Sequence, residues 1–194
     1  MAIIREKAYS NSPVNIVLLQ TTGMIKTIIL SVTLFTCLAT LAQKPCSSPV
    51  YRQFDFWIGE WEAFGNNGQK AGDSKISLIL DSCIILEEWS SATVNRGLRY
   101  AGKSFNTYNA ATKQWQQTWV DNAGGSNEYL LGKFENNQII YTSLSFPFSK
   151  DTMALRKMTF TNLSPVKLRQ HGEISKDNGV TWSTEYDLEY RRKK

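Results

Sequence analysis

Histidine is nearly absent from this chain: His171 is the only one in 194 residues, and three cysteines accompany it. A chain so poor in nitrogen and sulfur ligands does not build the clustered sites of zinc and its neighbours, so no metal is expected. Also missing are a Gly-rich phosphate loop, a Gly-x-Ser-x-Gly elbow and a His-Glu-x-x-His pair, which removes the nucleotide-binding, α/β-hydrolase and zinc-protease signatures. Long apolar runs are scarce too. The stretch Ile28 to Leu41 has 14 residues, broken by Ser31, Thr33, Thr36 and Thr40, against the about 20 that cross a bilayer. A surplus of positive charge exists only at the ends. The formal net charge is +5, but residues 43 to 194 hold 19 basic against 16 acidic side chains, and Arg191-Arg192-Lys193-Lys194 supply four of the 19. Residues 43 to 190 therefore stand at −1, which leaves no basic face for nucleic acid.

The apolar stretch follows Lys26 and ends in Thr40-Leu41-Ala42, with small residues at the two positions a signal peptidase reads. Residues 24–42 are therefore expected to be a signal peptide, with the mature chain beginning near Gln43, secreted or periplasmic and without a membrane span. Residues 1–23 make too long a preamble for such a leader. They are read as an upstream extension, with Met24 as the true start. After leader removal, Cys46 and Cys83 remain, an even pair in a compartment where disulfides persist. A bridge closing about 37 residues would contribute roughly 3 to 4 kcal/mol by chain entropy; two unpaired small hydrophobes are the alternative.

Turn signals recur every 12 to 15 residues from residue 46 onwards: Asn66-Asn67-Gly68, Asp81-Ser82, Asn95-Arg96-Gly97, Asn109 to Thr112 and Asn122 to Asn127, then Glu135-Asn136-Asn137, Phe146-Pro147, Asn162 to Pro165 and Asp177-Asn178-Gly179. Between them the chain alternates with period two. Trp182, Thr184, Tyr186, Leu188 and Tyr190 share one face of a run, and Ser183, Glu185, Asp187 and Glu189 the other. Another run sets Trp115, Gln117, Trp119 and Asp121 on one face. Nine turns imply about ten strands. With such even spacing and no room for long crossovers, the prediction is an all-β, antiparallel up-and-down meander, residues 46–194, closed into a single barrel.

The densest motif is Phe54-Asp55-Phe56-Trp57-Ile58-Gly59-Glu60-Trp61. Its Gly59-Glu60-Trp61 resembles the Gly-x-Trp signature of lipocalins. That resemblance implies a short helical turn before strand one and a plug at the barrel's closed end, made by Trp57, Gly59 and Trp61 with Arg191, or Arg192, stacked on Trp61. Together with Cys83 to Trp89, Trp115 to Asp121, Arg169-Gln170 with Glu173, and Asp177 to Trp182, the motif resembles the secreted bacterial lipocalin-like (calycin-type) family of unknown function. His171 and Gly172 depart from that family's apolar or aromatic tendency. Ser175 to Trp182 also fits the Asp-box of sialidase-type propellers, but one copy in about 150 residues builds no propeller, and a hairpin turn is expected.

The resemblance and the aromatic-polar face of Trp115 to Asp121 point to a non-enzymatic carrier of a small apolar or amphipathic molecule. Tyr100, Trp115 and Trp119 are the expected walls; Gln117, Asp121 and Arg169 are the expected polar anchors. Of the neighbours Glu87 and Glu88, only one can face inward, and burial among aromatics would raise its pKa. Two rival readings remain. The first is a small-barrel lyase, isomerase or hydrolase using His171 as general base oriented by Glu173, or an inward Glu of strand three, or else a haem protein with His171 as axial ligand. The second is a barrel filled by its own side chains, acting as a structural or interaction module.

Overall fold

Strand patterning, closed end to end, dictates the architecture of the computed structural model, which describes residues 44–194. The expected extension 1–23 and signal peptide 24–42 lie outside the described residues. Two short 3-10 turns, Pro49–Arg52 and Asp55–Trp57, precede eleven strands. These are β1 (Gly59–Gly65), β2 (Lys70–Ile79), β3 (Ile84–Asn95), β4 (Leu98–Asn109), β5 (Gln114–Asp121) and β6 (Ser126–Glu135), followed by β7 (Gln138–Thr142), β8 (Phe146–Ser149), β9 (Thr152–Ser164), β10 (Lys167–Ser175) and β11 (Ser183–Arg192). Each strand pairs antiparallel with the next, except that β7 skips β8 to pair with β9, and β11 returns to β1 with Trp61 opposite Arg192 and Ala63 opposite Tyr190. The result is a closed, ten-stranded up-and-down barrel with β8 as an extra strand on β9.

The turns do what their residues allow. Arg96-Gly97 and Asn136-Asn137 both take positive φ at two successive positions, as two-residue hairpins that match strand twist require. Phe146-Pro147 departs from expectation, since it lies in β8 rather than in a turn. Proline is tolerated there because β8 is an edge strand, with no partner on its far side. The break falls instead at residues 143–145. β6 pairs with β7 only from Leu131 onwards, so the wall beside Ser126–Leu130 opens into a lateral cleft of about 360 Å³.

One end of the barrel is filled. Phe54, just before the second 3-10 turn, and Trp57, within it, are fully buried and stack on each other, with Phe160 and Trp115 against Phe54. Burying each such ring contributes about 3 kcal/mol. Trp61 donates its Nε1–H to the Trp57 carbonyl at 2.7 Å. The cation over Trp61 is Arg192, 4.3 Å from the ring, and it also donates to the carbonyls of Ile58 and Pro165 at 3.0 Å. Arg191, expected at this plug, points the other way and lies over Phe64 on the outer face, because adjacent strand residues alternate. Gly59 is indispensable to the arrangement: its φ is +133°, and a Cβ there would collide with the Arg192 guanidinium. Cys46 and Cys83 lie at disulfide-bonding distance, with Cα atoms 5.1 Å apart, and so tie the N-terminal segment to the β2–β3 turn.

Candidate functional site

The other end of the barrel is hollow. A cavity of about 410 Å³ is lined by side chains from seven strands, β3 to β6 and β9 to β11. Trp89 of β3, Tyr100 of β4, Trp119 of β5 and Tyr129 of β6 supply aromatic walls, and Tyr186 and Tyr190 of β11 complete them. Four inward glycines let rings lie flat on the wall. Gly72 sits under Trp89, Gly102 under Trp119, Gly132 under Tyr141 and Gly172 under Tyr186, and in each case a Cβ would overlap the ring. Three of those four rings border the cavity, so its width follows from side chains that are missing.

Its floor is polar. Glu87 is 3% exposed, and Glu88 beside it faces outward to Lys103 at 2.8 Å. The Ser74 and Ser104 hydroxyls each donate to one Glu87 carboxylate oxygen at 2.9 Å. Ser104 in turn accepts from Asn106, whose Oδ1 takes hydrogen bonds from Gln117 Nε2 at 2.9 Å and from the Tyr141 hydroxyl at 3.1 Å. Burial raises the Glu87 carboxyl from 4.5 to about 7; the two serine donors oppose the shift without cancelling it. Desolvation likewise pushes the Tyr129 hydroxyl up to about 12 and that of Tyr190 well above its ordinary value.

An ion pair marks the mouth. Arg156 of β9 donates to Glu185 at 3.0 Å and to Asn127 Oδ1 at 3.0 Å. Glu185 reaches this position through an irregularity: β10 and β11 shift register between Gly172 and Glu173, so Tyr186 opposes Gly172 while Thr184 opposes Glu173. The extra residue is Glu185, which joins Tyr186 on the cavity lining instead of the outer face that simple alternation assigned it.

The sequence-derived residues divide cleanly by location. Tyr100, Gln117 and Trp119 line the cavity. Trp115 is on the same face one step deeper, buried in the filled end with its Nε1–H on Gln53. Asp121 holds the rim: its Oδ1 accepts the amides of Ala123 and Gly125, and its Oδ2 the Tyr100 hydroxyl at 3.0 Å and the Trp119 Nε1–H at 3.2 Å. Those donors, the Gly125 amide foremost, keep its carboxyl below the ordinary value. Arg169, expected as an anchor, lies on the outer face bound to Asp187 at 2.6 Å. His171 and Glu173 are outside as well. His171 Nε2 meets the Thr184 hydroxyl at 3.0 Å, and Glu173 pairs with Lys157 at 2.9 Å. Leu168, Gln170 and Gly172 are the inward residues of β10, so a haem iron or a substrate inside the barrel would not meet His171.

Asp177 builds a turn, as expected of a hairpin. It accepts the Thr181 amide at 2.9 Å and the Thr181 and Ser175 hydroxyls, which hold its carboxyl at about 2. Sequence reasoning left Arg156, Asn127 and the four glycines unread, because their roles depend on cross-strand register. In comparisons with known proteins, no family model and no curated protein matches the chain.

Proposed function

We propose that the chain is an exported binding protein whose barrel holds a small, partly apolar molecule, in the manner of the lipocalin-like family it resembles. The observation that carries this reading is the cavity itself. Its volume of about 410 Å³ falls within the roughly 300 to 1,000 Å³ of small-molecule sites, and it combines six aromatic walls with the buried Glu87 carboxylate and the buried amides of Gln117 and Gln170. A barrel filled throughout by its own side chains would have no such space. Export is supported by the leader-like residues 24–42 and by a cysteine pair at bonding distance, an arrangement that persists in oxidising compartments. Among the described residues, no helix is long and apolar enough to cross a membrane.

Titration of the mature protein with lipids, haem and aromatic metabolites, followed by tryptophan emission, tests the carrier role. Saturable quenching that disappears in Trp119→Ala is expected. No quenching by any class would remove the reading.

One observation favours a second reading, a proton-transfer enzyme: a carboxyl raised to about 7 can take and return a proton near neutrality. The group concerned is Glu87, not His171. Turnover that vanishes in Glu87→Gln and persists in His171→Ala is its signature.

A further inference from the structure

We propose that the molecule held by the barrel is an organic cation, a partly apolar amine whose charged head meets Glu87 and whose body lies against Trp89 and Trp119. The inference rests on the carrier reading and assigns it a ligand chemistry.

Three features of the cavity converge on a positive charge. First, among the described residues Glu87 has no counter-ion, and its polar partners there are the hydroxyls of Ser74 and Ser104, one on each oxygen. An ionised carboxylate has about four acceptor positions, so two remain for a donor arriving from the cavity. Secondly, the one cation among the described lining residues is already engaged: Arg156 is bound to Glu185 and Asn127. With that pair cancelling, an ionised Glu87 leaves the cavity one charge negative. Thirdly, six of the other lining side chains are aromatic and the rest are neutral amides or apolar groups, and ring faces attract cations while repelling anions.

The groups that face Glu87 from neighbouring elements are neutral at pH 7. β2 contributes Ser74 and β4 contributes Ser104 and Tyr100, while Tyr186 and Tyr190 project from β11 with hydroxyls raised well above their ordinary values by burial. Lys75 and Lys103 are on the outward positions of β2 and β4 and do not enter. An anionic ligand would meet Glu87 as a like charge, and a neutral one would leave its ionised form buried and uncompensated. An ammonium group supplies both the missing charge and the missing donors.

The test is calorimetric titration of the disulfide-bonded protein with three probes sharing one apolar body: naphthylethylamine, naphthylethanol and naphthylacetate. The amine is expected to bind at least about tenfold more tightly than the alcohol at pH 8, as a charge-assisted hydrogen bond allows. In Glu87→Gln the preference disappears while the alcohol keeps its affinity. A second measurement needs no variant. At pH 7 about half of the Glu87 carboxyls are protonated, so amine binding in two buffers of different ionisation enthalpy releases about half a proton per site, and alcohol binding releases none.

If the alcohol binds and the amine binds no better, or the acid binds best, the cation assignment is overturned and the carrier reading stands. Amine binding that Glu87→Gln leaves unweakened overturns it equally. If none of the three binds, the carrier reading fails and the assignment falls with it.

Discussion

Replacing Glu87 by Gln should stabilise this protein at neutral pH and leave it almost unchanged in acid. The carboxyl is raised from 4.5 to about 7 in the folded barrel because burial disfavours its charged form. The fold therefore binds that proton more tightly than the unfolded chain does. Below pH 4.5 Glu87 is protonated in both states and imposes no penalty. As pH rises from 4.5 to about 7 the unfolded chain gains stability by ionising, and the fold loses ground until both states are ionised. The gap corresponds to about 3 kcal/mol, a sizeable share of the 5 to 15 kcal/mol that typically separates folded from unfolded protein. Glutamine keeps the size and can satisfy Ser74 and Ser104, but has nothing to ionise. Urea unfolding of both proteins at pH 4 and pH 8 should show the variant gaining about 3 kcal/mol over its parent across that interval. Asp73, Glu88, Asp187 and Glu189, all held below their ordinary values by cationic partners, give both proteins the opposite acid dependence, which cancels in the difference. Parallel pH profiles for the two proteins would refute the reasoning.

Cys46→Ser should lower the unfolding free energy by about 3 to 4 kcal/mol, the chain-entropy value for a separation of 37 residues; a urea midpoint that reductant shifts in the parent but not in the variant checks it, and an unshifted parent contradicts it. Arg192→Ala, which removes a cation over Trp61 and donors to two carbonyls, is expected to cost about 1 to 3 kcal/mol. Arg191→Ala removes only exposed contacts and should cost under about 1 kcal/mol, so the reverse order in thermal melts would show the plug to be misassigned. His171→Ala should leave ligand quenching of tryptophan emission unchanged, since the imidazole lies outside the barrel wall; a lost response would place it at the site after all.

How much of this was legible in the sequence depended on distance along the chain. Period-two alternation from Trp115 to Asp121 and the Gly/Asn-rich turns are local signals, and they yielded the ten-stranded closed barrel and the inward face of β5. The filled end was expected from the lipocalin resemblance that the Phe54 to Trp61 cluster carries, not from a local pattern. Reading failed where one residue of register decides. Arg191 and Arg192 are adjacent and point to opposite sides, and only the pairing of Trp61 with Arg192 shows which one reaches the ring. The face containing Arg169, His171 and Glu173 looked rich in chemistry, yet β10 turns Leu168 and Gln170 inward instead. Glu185 was assigned outward by simple alternation, and the bulge that brings it to Arg156 leaves no mark in composition. Glu87 was one of two candidates, since neighbouring glutamates look alike until one of them meets Ser74 and Ser104.

The inward glycines carry a consequence for selectivity. Gly72, Gly102 and Gly172 make no polar contact with anything in the cavity, yet each sets how far a ring on the adjacent strand projects into it. Adding one methyl group at Gly102 would lift Trp119 off the wall and narrow the chamber without altering a lining residue or its charge. On the carrier reading, ligand size and ligand chemistry would be set at separate positions, one behind the rings and the other at Glu87. Substitution at these glycines would thus change the room in the chamber while leaving its polar floor intact.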